Sequence, residues 1–158
     1  MPAPPLNEAL VTLAACAGGS PKPTVDKVKA TITASADVNP ASDGRPSPLV
    51  VRIYQLKSDA KFVEADFFDL FEKDDQVLGP DLVSRDEITL APGETQELPL
   101  GVSDDAKLLG VVAAYRDLRN SQWRVVKPAP KKGLKNLVKK DAITIQAQRT
   151  AVTLTITE

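Results

Sequence analysis

The chain has no histidine and a single cysteine, Cys16. The first absence removes Ser-His-Asp and Cys-His catalysis together with the usual zinc sites. The second leaves no internal disulfide and no thiolate cluster for a metal. Net charge is −1, from 20 basic and 21 acidic residues, so no global field favours nucleic acid or anionic lipid. No uncharged apolar run approaches the roughly 18 residues that a membrane-crossing helix needs. Carboxylates and lysines could still build an enzyme, but most catalytic templates are closed. An enzyme is the minority reading, and a protein that binds, without cofactor or metal, is the leading one.

What is present is ordinary globular material. The 158 residues are 42% hydrophobic and 26% charged, enough for one domain with its own core. Residues 9–15 form a seven-residue apolar stretch ending at Cys16. Leu13-Ala14-Ala15-Cys16 has the form of a bacterial lipobox, a branched apolar residue and two small ones before the cysteine that would receive lipid. Residues 1–15 are therefore expected to be a signal peptide. They contain no Lys or Arg and do contain Glu8, which departs from the usual charged start. Residues 16–23, with Gly18, Gly19, Ser20, Pro21 and Pro23, suit a lipidated cysteine on a flexible leash. A stray or buried cysteine is the plainer alternative. Ala17 stands where an aspartate would favour the inner membrane.

From residue 24 onward the pattern is mostly β. Alternation over 25–35, β-branched density over 49–56, and strands at 84–90, 95–100, 107–115, 123–127, 141–148 and 151–157 give about eight strands. Ala91-Pro92-Gly93 suggests a hairpin turn. The run at 107–115 suits a central strand buried on both faces. Ser58 looks like a helix N-cap, and Val63, Phe67, Leu70 and Phe71 recur at helical spacing, predicting one helix over about 58–74 that packs on a sheet edge or end. Nothing has a βαβ rhythm. The expected fold is mainly β, a two-sheet sandwich with one added helix over residues 24–158.

Three local patterns have plainer explanations. Ser58-Asp59-Ala60-Lys61 matches the Ser-x-x-Lys of penicillin-recognising enzymes, but the partner motifs are missing and helix capping suffices. Asp74-Asp75 and Asp104-Asp105 lack calcium-loop spacing and read as solvated turns and caps. Residues 58–105 hold 14 acids against 3 basic residues, whereas 124–140 hold 7 basic residues and no acid. Few aromatics interleave those lysines, so nucleic acid is not indicated; a solvated loop is the simplest reading.

The order of elements nevertheless resembles a known family. Asn39-Pro40 and Gly44-Arg45-Pro46-Ser47-Pro48 lead into Val50-Val51-Arg52-Ile53-Tyr54-Gln55-Leu56. Phe62 and Ala65-Asp66-Phe67-Phe68-Asp69-Leu70 follow, then Leu90-Ala91-Pro92-Gly93-Glu94 and Ala113-Ala114-Tyr115-Arg116. From Cys16 to about Thr157 this is similar to the TssJ family, outer-membrane lipoproteins of the bacterial type VI secretion system. The resemblance implies a transthyretin-like eight-stranded sandwich, lipidation at Cys16, and a structural role at the periplasmic face of the outer membrane. It implies binding to the periplasmic C-terminal domain of TssM, and through TssM an indirect link to TssL. The soluble domain is expected to be a monomer by itself.

In that family the loop between the first two strands makes the main contact. Here it spans residues 37–48, with Asp37, Val38, Asn39, Pro40, Ala41, Ser42, Asp43, Gly44, Arg45 and Pro46 as candidate binding residues. Its three prolines would pre-order it for docking, or simply make a rigid turn. Two other functions stay open: a transthyretin-like carrier of a small ligand, which needs an apolar pocket, and a carboxylate-dependent peptidoglycan hydrolase, which needs two acids roughly 5–10 Å apart.

Overall fold

The computed structural model describes residues 27–130 and 142–157. Eight strands build two four-stranded sheets packed face to face. The first sheet has the order β4 (Thr95–Gly101), β1 (Lys27–Ala34), β7 (Ala142–Ala147) and β8 (Val152–Thr157). The second has β3 (Leu82–Leu90), β2 (Leu49–Leu56), β5 (Leu108–Ala113) and β6 (Arg124–Pro128). Alternation decides which side chains meet between them. Ala30, Ile32 and Ala34 of β1, with Ile143 and Ile145 of β7 beside them, face Val51 and Ile53 of β2 and Leu109 and Val111 of β5 in one continuous buried core.

The Ala91-Pro92-Gly93 turn forms, with Glu94 N–H bonded to Ala91 O at 3.0 Å and Gly93 at φ +76°. It is not a hairpin. β3 pairs with β2 and β4 with β1, so the turn arches from one sheet to the other. Its local chemistry fixes a tight reversal, but Gly93 N–H and Glu94 O bond to Ser35 and Ala34 at the end of β1, which draws β4 away from β3. Pro99 lies in β4, an edge strand where a missing N–H is tolerated.

The predicted helix is two helices, α1 (Ala60–Glu64) and α2 (Phe67–Leu78). Asp66 separates them in extended geometry and caps α2 by accepting from Asp69 N–H at 2.8 Å. Ser58 is not the cap of α1; Asp59 holds that position without a side-chain bond. The pair covers the outer face of the second sheet rather than an edge. Phe62, Leu70 and Leu78 bury against Tyr54 and Leu56 of β2 and Val112 of β5. Gly110 is what allows the approach, since a Cβ there would lie 2.7 Å from Phe62 Cζ. Core on one side and helices on the other explain why β5 is apolar almost throughout.

Arginines tie the helices down. Arg124 donates to Phe62 O at 2.9 Å and Ala65 O at 2.6 Å, satisfying carbonyls at the end of α1. Arg52 donates to Phe71 O and to Glu87, both at 2.6 Å. Asp74, expected in a solvated turn, is 4% exposed instead, bonded to Arg85 and to Tyr54 Oη. The acid is inside because it stands four residues after Leu70 and four before Leu78, on the face of α2 that packs against the sheet.

Candidate functional site

Strand directions put four connections at one end of the sandwich. β1 and β7 run parallel, and β2 and β5 run antiparallel. The β1–β2 loop, the β3–β4 arch, the β5–β6 loop and the β7–β8 turn therefore share the far end, where β1 finishes. β1 enters at the opposite end, where Lys27 pairs with Gly101. Eight strand residues separate the two ends by roughly 26 Å.

The β1–β2 loop divides into a buried root and an exposed tip. Val38 is fully buried in the core and Asn39 is 3% exposed, so neither can be a direct contact with a partner. Asp37 is exposed, accepting from Ser35 Oγ at 2.7 Å, with Arg149 at 4.0 Å. Pro40 and Ala41 are half-buried, and residues 42–46 are exposed. A closed turn shapes the tip: Ala41 N–H donates to Arg45 O and Gly44 N–H to Ala41 O, each at 2.8 Å. Gly44 sits at φ +82°, which a side chain would resist. Arg45 pairs with Asp43 at 2.7 Å; its backbone N–H and then its guanidinium hold the Asp43 carboxyl below the usual range.

Asn39 is the hub of this end. Its φ of +49° is the left-handed geometry that asparagine tolerates better than most residues. Its backbone N–H donates to Arg149 O at 3.0 Å, in the β7–β8 turn. Nδ2 donates to Pro48 O at 2.9 Å, closing the loop on itself. Oδ1 accepts from Arg116 N–H at 2.8 Å, in the β5–β6 loop. One residue thus joins three loops, two through its side chain and the third through its backbone N–H. Further bonds complete the weave, with Gln122 N–H reaching Thr150 O at 2.8 Å and Tyr115 Oη donating to Gln148 O at 2.8 Å. Burial pushes the Tyr115 hydroxyl well above its ordinary pKa.

Between the tip and the neighbouring loops lies an open groove of about 590 Å³. Pro40, Ala41, Ser42 and Gly44 form one wall; Tyr115, Arg116, Asp117, Arg149 and Thr150 form the other. Of these, the sequence had singled out the first wall as a binding loop. Tyr115 and Arg116 stood out only as part of the resemblance, and Arg149 and Thr150 only as a turn. No local pattern marks the second wall, because it is assembled by strand pairing. Cys16 lies outside the described residues. Among the described residues no group of three or more acidic or cysteine ligands is placed to hold a metal, and no helix is long and apolar enough to cross a membrane.

Known proteins match this arrangement. The family described as type VI secretion lipoprotein (VasD, EvfM, TssJ) matches residues 26–150. The lipoprotein TssJ1 of Pseudomonas aeruginosa is 32% identical with a TM-score of 0.75, over 84% of this chain and 96% of that one. Lip of Serratia marcescens, a membrane-bound component of the type VI secretion system, is 30% identical with a TM-score of 0.74, over 82% of this chain and 97% of that one. A chain of a structure of the TssM C-terminal domain (869–1107) from EAEC is 28% identical with a TM-score of 0.65, over 82% and 97%. No curated protein sequence matches significantly. With the family matched across most of its length and the sandwich in agreement, the chain belongs to the TssJ family of type VI secretion lipoproteins.

Proposed function

We propose that the protein is anchored by lipid on Cys16 to the periplasmic face of the outer membrane and binds the periplasmic C-terminal domain of TssM with the tip of the β1–β2 loop. TssL would be reached only through TssM. The observation that carries this reading is the position of the tip. It projects at the end of the sandwich opposite Lys27, the first residue of β1. A tethered domain would then present the loop away from the membrane. Similarity to a chain in a type VI membrane complex, at 29% identity and a TM-score of 0.69, and to one in a TssM C-terminal domain structure supports the choice of partner.

The role is binding and not catalysis. The space between the sheets is occupied by side chains such as Ile32, Ile53, Val111 and Ile145, where a small-ligand carrier would need room. Asp117 on the groove wall is engaged by Asn120, and Asp43 on the adjoining tip by Arg45, so the two are not opposed as an acid–base pair. The test is to replace residues 41–45 with a Gly-Gly link, sparing the buried Val38 and Asn39. Affinity for the periplasmic TssM domain should fall below detection while the melting temperature stays within a few degrees. Unchanged affinity would place the interface elsewhere.

A further inference from the structure

We infer that Arg116 and Arg149 form a carboxylate-reading pair, and that the groove beside the loop tip receives an extended acidic segment of the protein partner. This rests on the partner reading above and adds a second wall, with its own chemistry, to the proposed contact.

The first support is contrast among the arginines. Arg45 is engaged by Asp43, Arg52 by Glu87 and Phe71 O, Arg85 by Asp74, and Arg124 by two carbonyls. The Arg116 guanidinium has no hydrogen bond or ion pair among the described residues and only a longer-range attraction to Asp43, although its backbone is fixed by Asn39; Arg119 also lacks such a partner but does not line the groove. Arg149 has only Asp37, at 4.0 Å and with both side chains more than half exposed. Such a contact is readily given up to a better carboxylate.

The second support is pre-organisation. Both arginines line one groove, and Asn39, almost fully buried, bonds the backbone of each. Their Cα positions are therefore set before any ligand arrives, which lowers the ordering cost of docking. A guanidinium offers a planar fork of donors that matches a carboxylate better than a lysine ammonium does. Asp117, the one acid on the groove wall, is held by the N–H and Nδ2 of Asn120, at 3.3 and 2.8 Å. The groove's free capacity is thus of donor type, alongside the half-buried apolar surfaces of Pro40 and Ala41. That combination fits a segment carrying Asp or Glu next to a small apolar residue.

Arg116→Glu with Arg149→Glu, and separately Arg116→Gln with Arg149→Gln, would be titrated with the periplasmic TssM domain over a range of salt concentrations. Melting curves confirm folding, and the 41–45 replacement runs in parallel. The expected result is a loss of at least tenfold for the Glu pair, a smaller loss for the Gln pair, and a shallower salt dependence for both. If the tip replacement abolishes binding while both arginine pairs keep wild-type affinity and salt slope, the inference is overturned and the tip reading survives. If wild type itself does not bind, both fall together.

Discussion

Replacing Asn39 by alanine removes the side chain that closes the β1–β2 loop and ties it to the β5–β6 loop, and its cost can be worked from the structure. Two side-chain hydrogen bonds are lost, Nδ2 to Pro48 O at 2.9 Å and Arg116 N–H to Oδ1 at 2.8 Å. Each contributes about 1 kcal/mol. The groove beside them is open enough for water to replace part of what is lost, which keeps the figure near that value. Alanine at φ +49° adds backbone strain of about 1–2 kcal/mol. The sum is about 3–4 kcal/mol, or a melting temperature lower by roughly 6–16 °C for a domain of this size. Asn39→Gly should recover part of the loss, because it relieves the strain while still lacking both bonds. Ser42→Ala, exposed on the same loop, should stay within about 0.5 kcal/mol. Thermal unfolding of the three variants decides the matter. A melting point for Asn39→Ala within two degrees or so of wild type would refute the hub argument, and equal losses for alanine and glycine would remove the strain component.

Gly110→Ala would place a methyl group 2.7 Å from Phe62 Cζ and should destabilise by about 1–3 kcal/mol. In a Phe62→Leu background the added cost should shrink; an identical cost in both backgrounds would mean the ring is not the obstacle. Burial raises the Tyr115 pKa, so its neutral form favours folding. That contribution is complete below the unfolded value near 10 and is lost as pH climbs above it, at about 1.4 kcal/mol per pH unit. Tyr54 is raised for the same reason and adds to the trend. Urea unfolding between pH 9 and 11 should therefore show a flatter decline for Tyr115→Phe than for wild type, and parallel declines would contradict the assignment. Cys16→Ser in cells should move the protein from the outer-membrane fraction to the soluble periplasm; retention in the membrane would mean that lipid is not the anchor.

The eight strands were legible because each carries its own signal. Leu49–Leu56 is dense in β-branched residues, and Val152–Thr157 alternates cleanly. Errors arose where the outcome depends on distant partners. The turn at Ala91-Pro92-Gly93 was read correctly as a turn and wrongly as a hairpin, since local residues fix a reversal but not which sheet receives the next strand. Helical spacing predicts the helix but not its break at Asp66, whose carboxylate caps α2 by accepting from Asp69 N–H three residues on. Asp74 looked like one of a solvated pair. Only the fold brings Arg85 and Tyr54 to it, across 11 and 20 residues of chain.

The groove shows the same limit at the level of function. Its first wall is continuous in sequence, and the proline and glycine chemistry of residues 37–48 announced a shaped loop. Its second wall comes from Arg116 and Arg149, which a linear reading has no reason to connect with each other or with Asn39. They meet because β1 and β7 are parallel neighbours, which puts the turn after Ala147 beside the loop after Ala34. They meet also because β2 and β5 are antiparallel, which returns Tyr115 and Arg116 to the place where Leu49 begins. Two pairings in different sheets therefore determine one site, and the 77-residue bond between Asn39 and Arg116 is where the sheets' loops are locked together. It follows that a substitution disturbing the sandwich at this end, such as one at buried Val38, should weaken partner binding without touching an exposed residue. Loss of affinity there would report a displaced tip and displaced arginines rather than a lost contact.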